Sequence, residues 1–395
     1  MSDIRRVVVV SQFSIPSQFK LFHCYSIGPM TKVSSTTEDN ATDQPFSPDQ
    51  ALPPVEVPTA GFILQLFVIP AIIVVIIATV WLLFSWVAHL GSSPEKLVQD
   101  LVRGGDHRWQ TAWNLAKELQ KPGNASFRQN QELASRLATL LQDTLEVPYP
   151  TGNSPQDQSE RKSAIQSRVF LCRALGEFEL SLVIPALAAA AKREDYVAQS
   201  ADDFGDIYVR QSAIEAIAVL AQNFKLTEQI QVEEIRSAVY AAASERSDSS
   251  TDGGGRDKLR SAAAYALGVM GDKRDLDRLA IMCQDSVTNV RYNSATGLAR
   301  HGDIRSLETL LEMIDLDQTQ AVRREREESG REWKRNSIII NGLRASEQLV
   351  HANPTADLDQ LESAIERLLN GNANGRLQAQ ARRALEQFNH QKTQQ

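Results

Sequence analysis

Four times along this chain an arginine sets the same register of side chains. Arg168, Arg210, Arg260 and Arg291 are each followed at the sixth position by a small residue, Ala174, Ala216, Ala266 and Gly297. At the seventh position stand Leu175, Ile217, Leu267 and Leu298, and at the third Leu171, Ala213, Ala263 and Ser294. Positions three, six and seven share one face of a helix with 3.6 residues per turn. A small residue at a fixed site lets a neighbouring helix come close, while the larger residues beside it fill the groove. A strand, with its period of two, could not use this pattern. One match could be chance; four in register define a repeat.

The fullest copy is LDRLAIMCQDSVTNVRYNSATGLARHGD, residues 276–303. It reads as a helix with Leu276, Leu279 and Met282 on its apolar face, a turn at Asp285, and a second helix opening at Val290-Arg291. Weaker copies are DHRWQTAWNLAKEL (106–119), keeping Ala112, Leu115 and Leu119, and LQAQARRALEQF (377–388), keeping Ala381, Ala384 and Leu385 but with Gln378 where arginine is expected. NSIIINGL, 336–343, is the poorest match. Asp206, Asp257 and Asp285 stand shortly before Arg210, Arg260 and Arg291.

These residues resemble HEAT repeats, in which two antiparallel helices form a unit and a D…VR…A…L pattern opens the second. The resemblance covers residues 97–390 and extends to the shorter PBS-lyase HEAT-like repeats of bilin lyases. It implies an all-α fold, with a HEAT-like α-solenoid of about six to seven helix pairs over residues 92–395. It also implies that aspartate and arginine pair along the stack. Arg168, Arg210, Arg260 and Arg291, with Asp206, Asp257 and Asp285, would then form a structural ladder. The residues five places after each ladder arginine or its equivalent would face outward: Arg173, Glu215, Tyr265, Thr296 and Arg383 form the expected partner-binding row.

Polar inserts interrupt the units near 146–160 (EVPYPTGNSPQDQSE), 193–206 and 245–257 (ERSDSSTDGGGRD), each between the first and second helix of a pair. In a stacked solenoid such turns project from one edge. RREREESGREWKR (323–335) alternates in sign, and pairs such as Arg324–Glu328 and Glu327–Arg331 suit a solvated helix face.

A second feature governs location. No Asp, Glu, Lys or Arg occurs between Val57 and Pro94. Leu66–Ala88 would span roughly 34 Å as a helix, enough for a ~30 Å hydrocarbon core. A single transmembrane helix within 61–90 is expected, with Trp81 and Trp86 near its C-terminal boundary. Residues 41–60 hold no basic residue, whereas Lys96, Arg103 and Arg108 follow the run. The positive-inside rule therefore puts the N-terminal tail outside and the repeats in the cytoplasm, in the cell (inner) membrane of a bacterium. Residues 1–60 read as a disordered tail rich in Ser, Thr, Asp and Pro, with Met30 a candidate for the true start.

Chemistry is sparse. Cys24, Cys172 and Cys283 form no CxxC, and none of the six histidines is followed by Glu. No HExxH, Walker A, GxSxG or GxGxxG motif is present, and TDGGGRD (251–257) lacks the lysine of a phosphate cradle. His301 falls at a groove position and reads as structural. No catalytic residue, cofactor or metal is expected. A net charge of −7 offers no case for a nucleic-acid backbone. The expected function is a membrane-anchored scaffold for protein–protein interaction. A bilin lyase-like or hydroxylase-like enzyme, and a nucleic-acid-binding protein of the alkylpurine-glycosylase sort, stand as alternatives.

Overall fold

The computed structural model describes residues 60–89, 93–103, 108–194, 196, 205–223, 229–246, 254–323, 325–371 and 373–394. The tail (1–59), with its candidate start at Met30, lies outside them, as do parts of the inserts near 193–206 and 245–257. The chain divides into two compact units, Met1–Gly91 and Ser92–Gln395. Among the described residues every regular element is helical.

The first unit contains α1 (Ala60–His89), a 30-residue helix without a charged side chain. Its side chains are described from Phe67 to Leu83, and all are exposed. Among the described residues no helix is long and apolar enough to cross a membrane. The expected span, Leu66–Ala88, extends past both ends of that stretch.

The second unit is an array of seven helix pairs among the described residues. The first helices are α2 (Pro94–Arg103), α4 (Gln131–Glu146), α6 (Ile184–Lys192), α8 (Gln229–Ala243), α10 (Lys273–Met282), α12 (Leu307–Ile314) and α14 (Asp359–Asn370). Their partners are α3 (Arg108–Gln120), α5 (Pro155–Gly176), α7 (Asp206–Asn223), α9 (Gly255–Met270), α11 (Thr288–Arg300), α13 (Glu328–Ala352) and α15 (Gly375–Gln394). Each partner helix packs on the next from α3 to α15, giving one unbroken layer. The first helices form a second layer, continuous from α2 to α8 and again from α12 to α14.

Small side chains explain the closeness of the unbroken layer. A Cβ placed on Gly176 of α5 would lie 2.8 Å from the Ala216 Cα of α7, and one on Gly268 of α9 only 2.6 Å from the Gly297 Cα of α11. Ala216 and Gly297, the small residues six places after Arg210 and Arg291, are thus where the preceding partner helix comes to backbone contact. Around it Leu175, Ile217, Leu267 and Leu298 are fully buried. In the poorest sequence match the contact differs: Gly342 of α13 rests against the Met313 and Ile314 side chains of α12, the first helix of its own pair.

Local chemistry sets the helix ends. Asp272 and Asp275 form a reciprocal capping box that opens α10, and Ser154 with Asp157 does the same for α5. That box starts α5 at Pro155, so the insert expected at 146–160 is in part a helix overhang. Gly271 ends α9 with φ +65°, and a Cβ there would fall 2.0 Å from the His301 ring. His301 itself reaches the Gly268 carbonyl at 2.9 Å, a structural role. The 323–335 segment also differs from expectation. Helix α13 begins at Glu328, and the expected Arg324–Glu328 pair involves a residue, Arg324, that lies outside the described residues. Arg331 pairs with Glu328 at 2.8 Å, and Lys334 reaches back to Glu325 at 3.1 Å.

Candidate functional site

Two sets of side chains along the partner helices could carry function: the arginine row near their N-terminal ends and the half-exposed row five residues on. Arg168 is only 2% exposed, and its Nη1 lies 3.9 Å from the Asp206 carboxylate, itself 1% exposed. Its Nη2 donates to the carbonyls of Val147 (2.7 Å) and Thr144. The Tyr149 ring lies 4.1 Å from the guanidinium, and the Tyr149 hydroxyl donates to Asp206 Oδ1 at 2.5 Å. The Tyr196 N–H donates to Asp206 Oδ2 at 2.9 Å. Burial pushes the Tyr149 hydroxyl up and the Arg168 guanidinium down. Two inserts are thereby tied to one aspartate at the N-terminus of α7, where the helix dipole also favours an anion.

The other arginines find different partners. Arg260 meets Asp257 of its own helix at 3.1 Å and Asp285 of the next unit at 3.1 and 3.2 Å. Arg210 meets no aspartate of the expected set. It donates to Glu245 at 2.5 Å and to the Ala191 carbonyl at 3.2 Å, with Glu194 at 3.6 Å. Arg291 bonds Glu312 at 2.5 and 3.2 Å and takes only the backbone carbonyl of Asp285, at 3.0 Å. Asp285 also caps Val287 N–H at 2.8 Å. The expected uniform Asp–Arg pairing is therefore corrected: Glu245, in the turn after α8, and Glu312, on α12, stand in place of aspartate at the Arg210 and Arg291 guanidinium groups.

A further ion cluster escaped the sequence reading. Arg236 of α8 bonds Asp275 at 3.2 Å, Glu233 at 2.5 Å and Asp272, and Arg274 adds a 2.6 Å contact to Glu233. Asp275 is fully buried, and desolvation pulls its carboxyl up against the opposing pull of Arg236. Neither the Asp272–Asp275 capping box nor its arginine, 39 residues away from Asp275, was part of the arginine register.

The row five residues on is only partly open. Arg173, Glu215, Tyr265 and Thr296 are half-buried, and Arg383 is exposed. The Arg173 guanidinium lies 5.4 Å from the Phe170 ring, which stacks on Trp109 of α3 at 6.1 Å. Glu215 accepts from Gln211 at 2.7 Å. The Tyr265 hydroxyl donates to Gln222 at 3.2 Å, with Arg300 5.8 Å from its ring. Thr296 is turned onto its own helix, donating to the Asn293 carbonyl at 3.0 Å. Arg383 faces Glu347 at 3.7 Å. The aromatic pair Trp109–Phe170, together with Trp113 under Lys117 at 3.6 Å, adds aromatic surface toward α3; Trp113 stands five residues after Arg108, a position the row as expected did not include.

Desolvation raises the Glu215 carboxyl above its usual range, with Arg173 and Gln211 pulling it back. Such a group binds more protons folded than unfolded, so its contribution to stability falls as pH rises through the raised value. Glu215→Gln is therefore expected to raise the thermal midpoint at neutral pH but to change it little near pH ~4, around the unperturbed Glu value. Melting curves at both pH values check this; an equal gain at both would assign the effect to packing alone.

Residues 252–329, from the approach to α9 into the first turn of α13, match the family model for HEAT repeats. The match supports a HEAT-type reading of the array, a class whose repeats generally mediate protein–protein interaction. No curated protein matches the chain.

Proposed function

We propose that this protein is a membrane-anchored HEAT-type scaffold that binds a protein partner along the partner-helix layer and performs no catalysis of its own. The observation that carries the reading is the continuous layer from α3 to α15, which presents Arg173, Glu215, Tyr265, Thr296 and Arg383 at one register. Tyr, Trp and Arg supply most binding energy at protein interfaces, and this layer adds Trp109 and Trp113 to them. In the same reading Arg168, Arg210, Arg260 and Arg291 are architecture. Their charges are spent on carboxylates and carbonyls between units.

The anchor is α1. Its 30-residue backbone helix would reach about 45 Å, and an apolar helix without a charge is stable where lipid replaces water around it. The charge difference across the helix puts the repeats on the cytoplasmic side. In sealed inside-out vesicles, added trypsin is expected to digest the repeats and leave a fragment containing α1; protected repeats would reverse the orientation. In the same vesicles, a photo-crosslinker at Tyr265 should capture a protein that one at Ile281, exposed on α10, does not. Equal capture at both sites would move the binding face off the row.

A further inference from the structure

A groove of about 660 Å³ lies between α2, α4 and the N-terminus of α3, at the edge where the α4–α5 insert leaves the array. Its walls combine exposed apolar side chains with guanidinium groups. Val102 is 52% and Val147 60% exposed, and buried Leu140 contributes to the lining between them. Arg103, Arg108 and Arg136 line the same space, against a single carboxylate, Asp143. Two of these arginines are held in exposed one-turn pairs: Arg103 lies 3.9 Å from Asp100, and Arg136 is 2.6 Å from Glu132. Exposed helix pairs of this kind contribute little and exchange readily for another anion. Arg108 Nε is buried without a hydrogen-bond partner among the described residues.

We infer that this groove is a second docking site, for an extended acidic protein segment carrying an aliphatic side chain. The occupant follows from the lining. Arg108 Nε has no hydrogen-bond partner among the described residues, and the exposed Arg103–Asp100 and Arg136–Glu132 pairs can exchange for a ligand's carboxylates, so the lining selects an anionic partner whose acids Arg forks match bidentately. Val102, Leu140 and Val147 leave apolar surface in water that an aliphatic side chain would cover. Gln99, Ser135 and Thr139 supply uncharged hydrogen-bonding groups beside the arginines, which suit the amides of a peptide backbone. The site is distinct from the row of the proposed function and does not depend on it.

The test uses the full chain in detergent micelles and a fluorescein-labelled ten-residue peptide of Glu, Asp and Ser with one central Leu. Fluorescence anisotropy should show saturable binding that weakens with added salt. The double variant Arg108→Glu/Arg136→Glu should weaken it by at least about tenfold and should prefer the same peptide with Lys in place of its acids. Val147→Asp, at an exposed position, should weaken binding as well, while Lys273→Glu, exposed on α10 and outside both sites, leaves it unchanged. No saturable binding to the wild-type chain, or equal binding to the double variant, would overturn the inference. So would displacement by glycerophosphoserine at lower concentration than by unlabelled peptide, which would assign the groove to a lipid headgroup.

Discussion

Asp206→Ala is expected to destabilise the array by about 3–5 kcal/mol, the usual cost of removing one partner from a buried ion pair. The reason lies in what the carboxylate leaves behind. Arg168 is 2% exposed and cannot turn to water, and the Tyr149 hydroxyl and Tyr196 N–H both lose their acceptor. Unsatisfied buried donors add to the cost of the stranded charge. Asp206→Asn, which keeps an acceptor at nearly the same place, should lose less. Chemical denaturation measures the total, and hydrogen exchange should place the loss in α5 to α7, because stability in a repeat array is shared between nearest neighbours. A loss below about 1 kcal/mol would show that the two inserts, and not the aspartate, hold that seam.

The second large effect is a reversal of sign for one substitution at two glycines. In a helix interior, replacing glycine by alanine gains up to ~1 kcal/mol from propensity. At Gly330, in the first turn of α13, the nearest atom to an added Cβ is Glu325 Oε2 at 4.0 Å, so a part of that gain should be realised without a clash. At Gly268 the new Cβ would stand 2.6 Å from the Gly297 Cα, a backbone atom that moves only if α9 and α11 part. Overpacking of this kind costs about 1–3 kcal/mol and outweighs propensity. Gly268→Ala is thus expected to lower the denaturation midpoint and Gly330→Ala to raise it. A rise for both would mean that the α9–α11 contact is looser than its geometry, and that curvature of the array is set elsewhere.

The helical repeats and their register were legible in the sequence because both rest on local periodicity. Whether a side chain lies three, six or seven places along a helix from its arginine depends on nothing distant. The small residue at the sixth position, the larger apolar one at the seventh and the positions of the inserts between paired helices could therefore be read directly. The family match over 252–329 falls on the copies where that periodicity is cleanest. Also local is the charge-free run over α1, whose fate as a membrane anchor is a proposal from hydropathy and helix length.

What the sequence could not supply were the partners of the buried charges. Arg210 reaches Glu245 across 35 residues and Arg291 reaches Glu312 across 21, because turn lengths differ from unit to unit. Tyr149 and Asp206 meet across 57 residues, through two inserts whose composition suggested only solvent-facing loops. Arg236 meets Asp275 on a face that the arginine register does not describe at all. Spacing in the chain fixes which face of a helix a residue occupies. Which oppositely charged group waits there depends on how far each turn carries the next helix, and stacking decides that.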